Sequence, residues 1–314
     1  MDQSVVGPGA PLTDAQWARI EPLLPDRTPK RGGRWRDHRE VIDAIAFNFQ
    51  TGTQRVHLPE KYGNWRGVYN RLRMWAVDGT WERVFTALVA QADADEDVGW
   101  AVSVDSTIVR AHQHAAGARK KGPPAGEPDD HAIGRSRGGL TTKIHLAADD
   151  RCRPPAFRLT AGQAGDAPAF TDVMARLRVP RPLGRPRTRP EVVLADKAYS
   201  SREIRDHLRR RGIRAVIPER ADQQANRRRR GPAGGRPPTF DREAYKQRNT
   251  VERCIDRLKQ WRGIATRYEK TATVYLAGLH IAGIFLRSAR QPGLGRRPAW
   301  CSVAYAVQFG HILV

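Results

Sequence analysis

The stretch from Glu191 to Arg220, EVVLADKAYSSREIRDHLRRRGIRAVIPER, constrains the fold more than any other part of the chain. It reads as an apolar strand, an amphipathic helix and a second strand. Ser200 with Glu203 has the spacing of a capping box, and Gly212 supplies the helix stop. Two strands joined through a helix should lie parallel, with a right-handed crossover. The second strand leads into residues 221–239, NRRRRGPAGGRPP included, which are poor in apolar side chains and read as a flexible, phosphate-facing segment.

Upstream, the pattern from Trp100 is also that of strands. WAVSVDST is an apolar run ending in Asp105, LTTKIHLAADD alternates, and PAFRLTAG alternates again, with a turn at Asp149 and Asp150. Short connections predict an antiparallel meander, while the polar, Gly- and Pro-rich segment between the first two strands reads as a mobile loop. From Leu12 to about Ala92 the spacing is helical. Thr13 can cap a first helix carrying Trp17, Ile20, Leu23 and Leu24, and a second runs near Asp37 to Phe49. In NWRGVYNRLRMWA, Val68, Leu72 and Trp75 form an apolar stripe, while Arg66, Arg71 and Arg73 point elsewhere, as a recognition helix would require. A fourth helix from about Trp81 completes a unit that fits either a helix-turn-helix domain or another small bundle. The domain boundaries predicted are 1–95 for an all-helical unit, 96–290 for a mixed sheet with flanking helices, and 291–314 for an atypical tail. The class is α+β and multidomain.

The formal charge is +22, from 55 Lys plus Arg against 33 Asp plus Glu. Such an excess predicts a polyanionic partner, most simply nucleic acid. Codon bias can favour Arg over Lys, but it does not create an excess of cations over anions. Cys152, Cys254 and Cys301 are isolated, which excludes a disulfide framework or a paired-cysteine metal knuckle. TVYLAGLHIAGIFL is short for a membrane span and holds His280, so it reads as a core helix. No secretion signal is visible at the N-terminus, and the expected location is the cytoplasm.

Candidate chemistry centres on three carboxylates. Asp105 and Asp196 each follow an apolar strand, at the carboxyl ends where ligand sites gather in α/β sheets. A helix over YKQRNTVERCIDRLKQW places Val251, Cys254, Ile255, Leu258 and Trp261 in one sector of about 120°. Tyr245, Arg248, Glu252 and Lys259 share a strip beside it. Arg248 and Glu252 are an i, i+4 pair, so a plain salt-bridged flank is one reading of that strip. A cleft wall facing the two aspartates is the other. Three converging carboxylates need a compensating cation, and oxygen ligands favour Mg²⁺ or Mn²⁺. His112 and His114, with His131 and His145 downstream, make a weak case for zinc, lacking paired cysteines or a helical HExxH. Asp166 in GQAGDAP is a reserve ligand.

These motifs resemble the DDE transposases of bacterial insertion sequences, in the group called insertion sequence five. Tyr245, Arg248, Glu252 and Lys259 fit that family's helix pattern at every step. Asp196, Ala198 and Tyr199 fit its second-aspartate pattern, VDST supplies Asp105, and the likeness covers roughly residues 10 to 290. The resemblance implies an RNase H-like catalytic domain behind a helix-turn-helix-like one. It implies two Mg²⁺ or Mn²⁺ ions held by Asp105, Asp196 and Glu252. Arg248 and Lys259 would contact phosphates of the transposon end, with Tyr245 and Tyr199 positioning DNA; Lys197 and, on the candidate recognition helix, Arg66, Arg71 and Arg73 are further candidate DNA contacts. The implied partners are double-stranded transposon ends and target DNA, and a second copy in a synaptic homodimer. The implied reaction frees a 3′-OH by hydrolysis and joins it to target DNA by transesterification. Alternatives are a DNA-binding protein that no longer cuts and, more remotely, a structure-selective nuclease.

Overall fold

The structure, a computed structural model, describes residues 9–28, 35–117 and 130–289. Much of the loop read as mobile and the tail 291–314 lie outside the described residues. Four helices open the fold: α1 (Asp14–Ile20), α2 (His38–Thr51), α3 (Trp65–Val77) and α4 (Thr80–Ala94). Their starts follow local chemistry. Thr13 Oγ accepts the Gln16 N–H at 3.2 Å while Gln16 Oε1 accepts the Thr13 N–H at 2.9 Å, the reciprocal pair of a capping box. Asp37 caps α2, and Gly52 at φ +68 ends it in the left-handed conformation that glycine adopts without steric cost.

The sheet follows. Its elements in order are β1 (Ala101–Ala111), α5 (Gln113–Ala116), β2 (Gly134–Ser136), β3 (Gly139–Ala148), β4 (Ala156–Ala161), α6 (Asp166–Arg176), β5 (Val192–Ala195), α7 (Arg202–Arg210) and β6 (Arg214–Val216). Then come α8 (Ala221–Arg229), α9 (Arg242–Tyr245), α10 (Asn249–Lys259), α11 (Arg262–Ala265), β7 (Thr266–Arg267) and α12 (Ala272–Ser288). Strands run β4-β3-β1-β5-β6 across the sheet. The pairs β1–β3 and β3–β4 are antiparallel, whereas β5 and β6 lie parallel to β1 and to each other respectively. That order and polarity are the RNase H-like arrangement, and both the meander and the βαβ unit are as expected.

Four local readings need correcting. Strand β1 does not end at Asp105 but runs on to Ala111, because its far end also pairs with β7 at Arg110 and Ala111. The cap of α7 is Ser201, whose hydroxyl accepts the Ile204 N–H; Ser200 is buried and bonded to Gln223 instead. The segment expected to be flexible carries α8, whose Gln223 side chain holds Ser200 from both its amide oxygen and nitrogen. The helix read over 245–261 is α9, a 3-10 turn at Lys246–Arg248 and then α10.

The boundary near residue 95 separates sequence textures and not cores. One hydrophobic cluster runs from Ile20, Phe49 and Trp75 in the N-terminal helices to Val104, Leu146 and Phe285. Glycines make the docking possible. A Cβ on Gly278 of α12 would lie 2.3 Å from Phe49 Cε1, and one on Gly283 would lie 2.5 Å from Phe85 Cε2. As expected, α12 is buried along most of its length. No helix among the described residues is long and apolar enough to cross a membrane.

Candidate active site on the β1–β5 face

Asp105 stands where β1 outruns its parallel neighbour. Val104 pairs with Ala195, the last residue of β5, so Asp105 and Asp196 follow at the next step of the same register. Residues paired in register point to one face, which sets the two carboxylates side by side. Asp196 also caps the turn Lys197–Tyr199, accepting the Ala198 N–H at 2.9 Å. Helix α10 packs over this face. Thr250 Oγ1 donates to Ser103 Oγ at 3.0 Å, two residues before Asp105, while Val251, Cys254 and Leu258 go into the core.

Glu252 is thereby turned to the rim, its side chain 51% exposed. Arg248 connects it to the first aspartate. One guanidinium nitrogen donates to Glu252 Oε1 at 2.8 Å and the other to Asp105 Oδ2 at 2.6 Å. The i, i+4 pair therefore exists, and Arg248 reaches from it to Asp105. Burial raises the Asp105 pKa and the charge of Asp196 adds to this, opposed by the Ser106 N–H and by Arg248. Tyr245 is half-buried in the same field. Burial pushes its phenol up, Arg248 pulls it down, and all three carboxylates push it up again. Lys259 lies on the same side of α10, about 10 Å further along the axis.

Among the described residues no three Asp, Glu, His or Cys side chains already converge into a metal cage. The donor set nevertheless suits a hard divalent cation, since it consists of carboxylate oxygens, two of them held by one guanidinium. The described histidines are not gathered into one cluster: His112 and His114 meet edge to face at 4.6 Å, while His145 is bonded to Thr160.

Two expected DNA contacts are misplaced. Tyr199 is 1% exposed, facing the core beside Phe170 and Ser106, because the cap at Asp196 turns the chain inward. Arg71 is 8% exposed and donates to His38 Nδ1 at 2.8 Å, its guanidinium lying over the rings of Trp35 and Trp75. It is a core residue of the helical unit. Arg66, Arg73 and Lys197 are exposed. Asp166 is on the opposite face of the sheet, bonded to Ser106 and Lys143. Sequence reasoning missed Lys143 and Ser106; the alternation in LTTKIHL was visible, but only the β1–β3 register shows what they meet.

The model of the "Transposase DDE domain" matches residues 97–285, more than half of the chain. The chain belongs to the DDE transposase family. A second model, "Putative transposase of IS4/5 family", matches residues 12–85 of this transposase. It is 32% identical over 143 residues to "Putative transposase for insertion sequence element IS6501" of Brucella ovis, covering 46% of this chain and 95% of that one. Against "Putative transposase for insertion sequence element IS402" of Burkholderia cepacia it is 29% identical over 178 residues, covering 56% and 75%. The Mos1 pre-cleavage transpososome aligns over 88% of this chain and 86% of that one at 13% identity, with a TM-score of 0.24, too low to add to the fold assignment.

Proposed function

We propose that this transposase binds the terminal inverted repeats of its own insertion sequence and catalyses metal-dependent cleavage and strand transfer there. What supports this reading is that Asp105 and Asp196 follow each other in register on adjacent strands and that Arg248 bridges Asp105 to Glu252. Asp105, Asp196 and Glu252 are the residues to hold one or two divalent ions. Such ions supply an activated attacking oxygen and stabilise the leaving one.

The remaining roles belong to side chains of this protein. Arg248, freed from its carboxylates, and Lys259 lie on one side of α10 and would carry counter-charge to the scissile strand. Tyr245 would line the same cleft, and exposed Lys197 follows Asp196 directly. Arg66 and Arg73 leave α3 on its solvent side, where phosphates or base edges of the end would meet them. Holding two ends together calls for two copies, so the active species is proposed to be a homodimer.

The test is a cleavage and strand-transfer assay with Mg²⁺ on DNA bearing the element's own ends, comparing the intact chain with Glu252→Gln. Cutting and joining by the intact chain, with binding alone by the variant, supports the reading. If both proteins fold and bind the ends and neither cuts, a DNA-binding role replaces it.

A further inference from the structure

Behind the carboxylate face lies a second polar cluster, which the proposed reaction does not use. Alternation along β1 puts Ser106 on the face opposite Asp105, in register with His145 of β3. Ser106 Oγ donates to Asp166 Oδ1 at 2.5 Å. Buried Lys143 donates to the same oxygen at 3.1 Å and to the Ala164 carbonyl at 2.7 Å. His145, 1% exposed, shares a hydrogen bond with Thr160 Oγ1 at 2.8 Å. Asp166 is the first residue of α6. One turn later on that helix, Phe170 meets the ring of Tyr199 with centroids 5.9 Å apart.

Helix α6 therefore bears on the chain one residue past Asp105 and three residues past Asp196. The first of these contacts reaches the carboxylate itself, because the Ser106 N–H donates to Asp105 Oδ1 at 2.8 Å. A planar peptide joins the two residues, so a hydroxyl fixed on one face fixes the side chain on the other. Net stability is a poor reason for such a cluster, since a buried ion pair gains little over apolar residues of the same volume. Geometry is a better one.

We propose that α6 is the positioning element of both aspartates, acting on Asp105 through Asp166 and Ser106 and on Asp196 through Phe170 and Tyr199. This rests on the reading of the aspartates as metal ligands. Groups that orient a metal ligand typically alter affinity by about 10- to 100-fold when removed.

The experiment uses full-length Ser106→Ala, Ser106→Thr and Asp166→Asn beside the unmodified chain and Asp105→Asn. Mn²⁺ binding is read without DNA by electron paramagnetic resonance. Cleavage of DNA carrying the element's ends is read across a Mn²⁺ series, and melting is followed in metal-free buffer. Ser106→Ala and Asp166→Asn are expected to weaken Mn²⁺ binding about tenfold or more and to move half-saturation for cleavage in step. Ser106→Thr, which keeps the hydroxyl, should restore both. Variants that melt lower but bind Mn²⁺ like the unmodified chain would show a purely structural cluster and overturn the proposal. An unmodified chain that binds Mn²⁺ yet cuts nothing would sink the proposed function, while the Mn²⁺ comparison would still judge α6. A chain that binds no Mn²⁺ would sink both.

Discussion

Replacing Arg248 by Met removes the one cation bonded to Asp105 among the described residues and leaves that carboxylate, 19% exposed, beside Asp196. Losing a charge-assisted hydrogen bond to a largely buried group costs about 1.5–3 kcal/mol. The arm to Glu252 adds no more than about 0.5 kcal/mol, because half of that side chain is in water. The sum, about 1.5–3.5 kcal/mol at neutral pH, corresponds to a melting temperature lower by roughly 2–5 °C for a chain of this size. Its pH dependence has a definite sign. Burial already raises the Asp105 pKa, and Arg248 opposes the rise, so the variant should raise it further. A carboxyl whose folded pKa exceeds its unfolded one contributes stability that is present below the unfolded pKa and lost as pH rises through the folded one. The deficit of Arg248→Met should therefore be full at neutral pH and close on acidification through the carboxylate range. Thermal melts of both proteins across that range check this, and millimolar Mg²⁺ should narrow the gap at neutral pH by binding the freed carboxylates. A deficit that widens as the pH falls, or is absent at neutral pH, refutes the reasoning.

Three further outcomes follow from particular contacts. Tyr199→Phe should leave stability and end binding unchanged in urea titrations and gel shifts, since the hydroxyl is buried without a hydrogen bond of normal geometry, whereas Tyr199→Ala should cost about 3–5 kcal/mol. Gly278→Ala should cost at least about 1–3 kcal/mol in the same titration, because the new methyl meets the Phe49 ring that docks α2 on α12. Burial holds the His280 pKa down at about 3, so its contribution is present above the unfolded value near 6.5 and is lost as pH falls towards 3; His280→Phe should flatten that part of the stability profile measured by circular dichroism.

Much of the fold was legible because its signals are local. Four N-terminal helices, the meander and the βαβ unit were each written in side-chain periodicity and in caps such as Thr13 and Gly212. The cap of α7 was misread by one residue, since Ser200 and Ser201 are equally good caps and only the docking of Gln223 decides between them. Part of the site was legible for the same reason: Tyr245, Arg248, Glu252 and Lys259 lie within a few turns of each other. Tyr199 and Arg71 were not, because the Phe170 ring beside the tyrosine and the Trp35 indole and His38 imidazole that receive the guanidinium come from residues distant in sequence.

By itself the sequence determined what each segment is and which residue types carry the chemistry, since helical and strand periods and i, i+4 neighbours are properties of a single stretch of chain. Only the tertiary structure decided what each segment faces. The step from Val104–Ala195 to Asp105–Asp196 depends on pairing register between strands distant in sequence, and the reach of Arg248 from Glu252 to Asp105 and the placement of Asp166 behind the sheet depend on how helical segments dock on it. A shift of one residue in that register would turn every side chain of β1 to the other face.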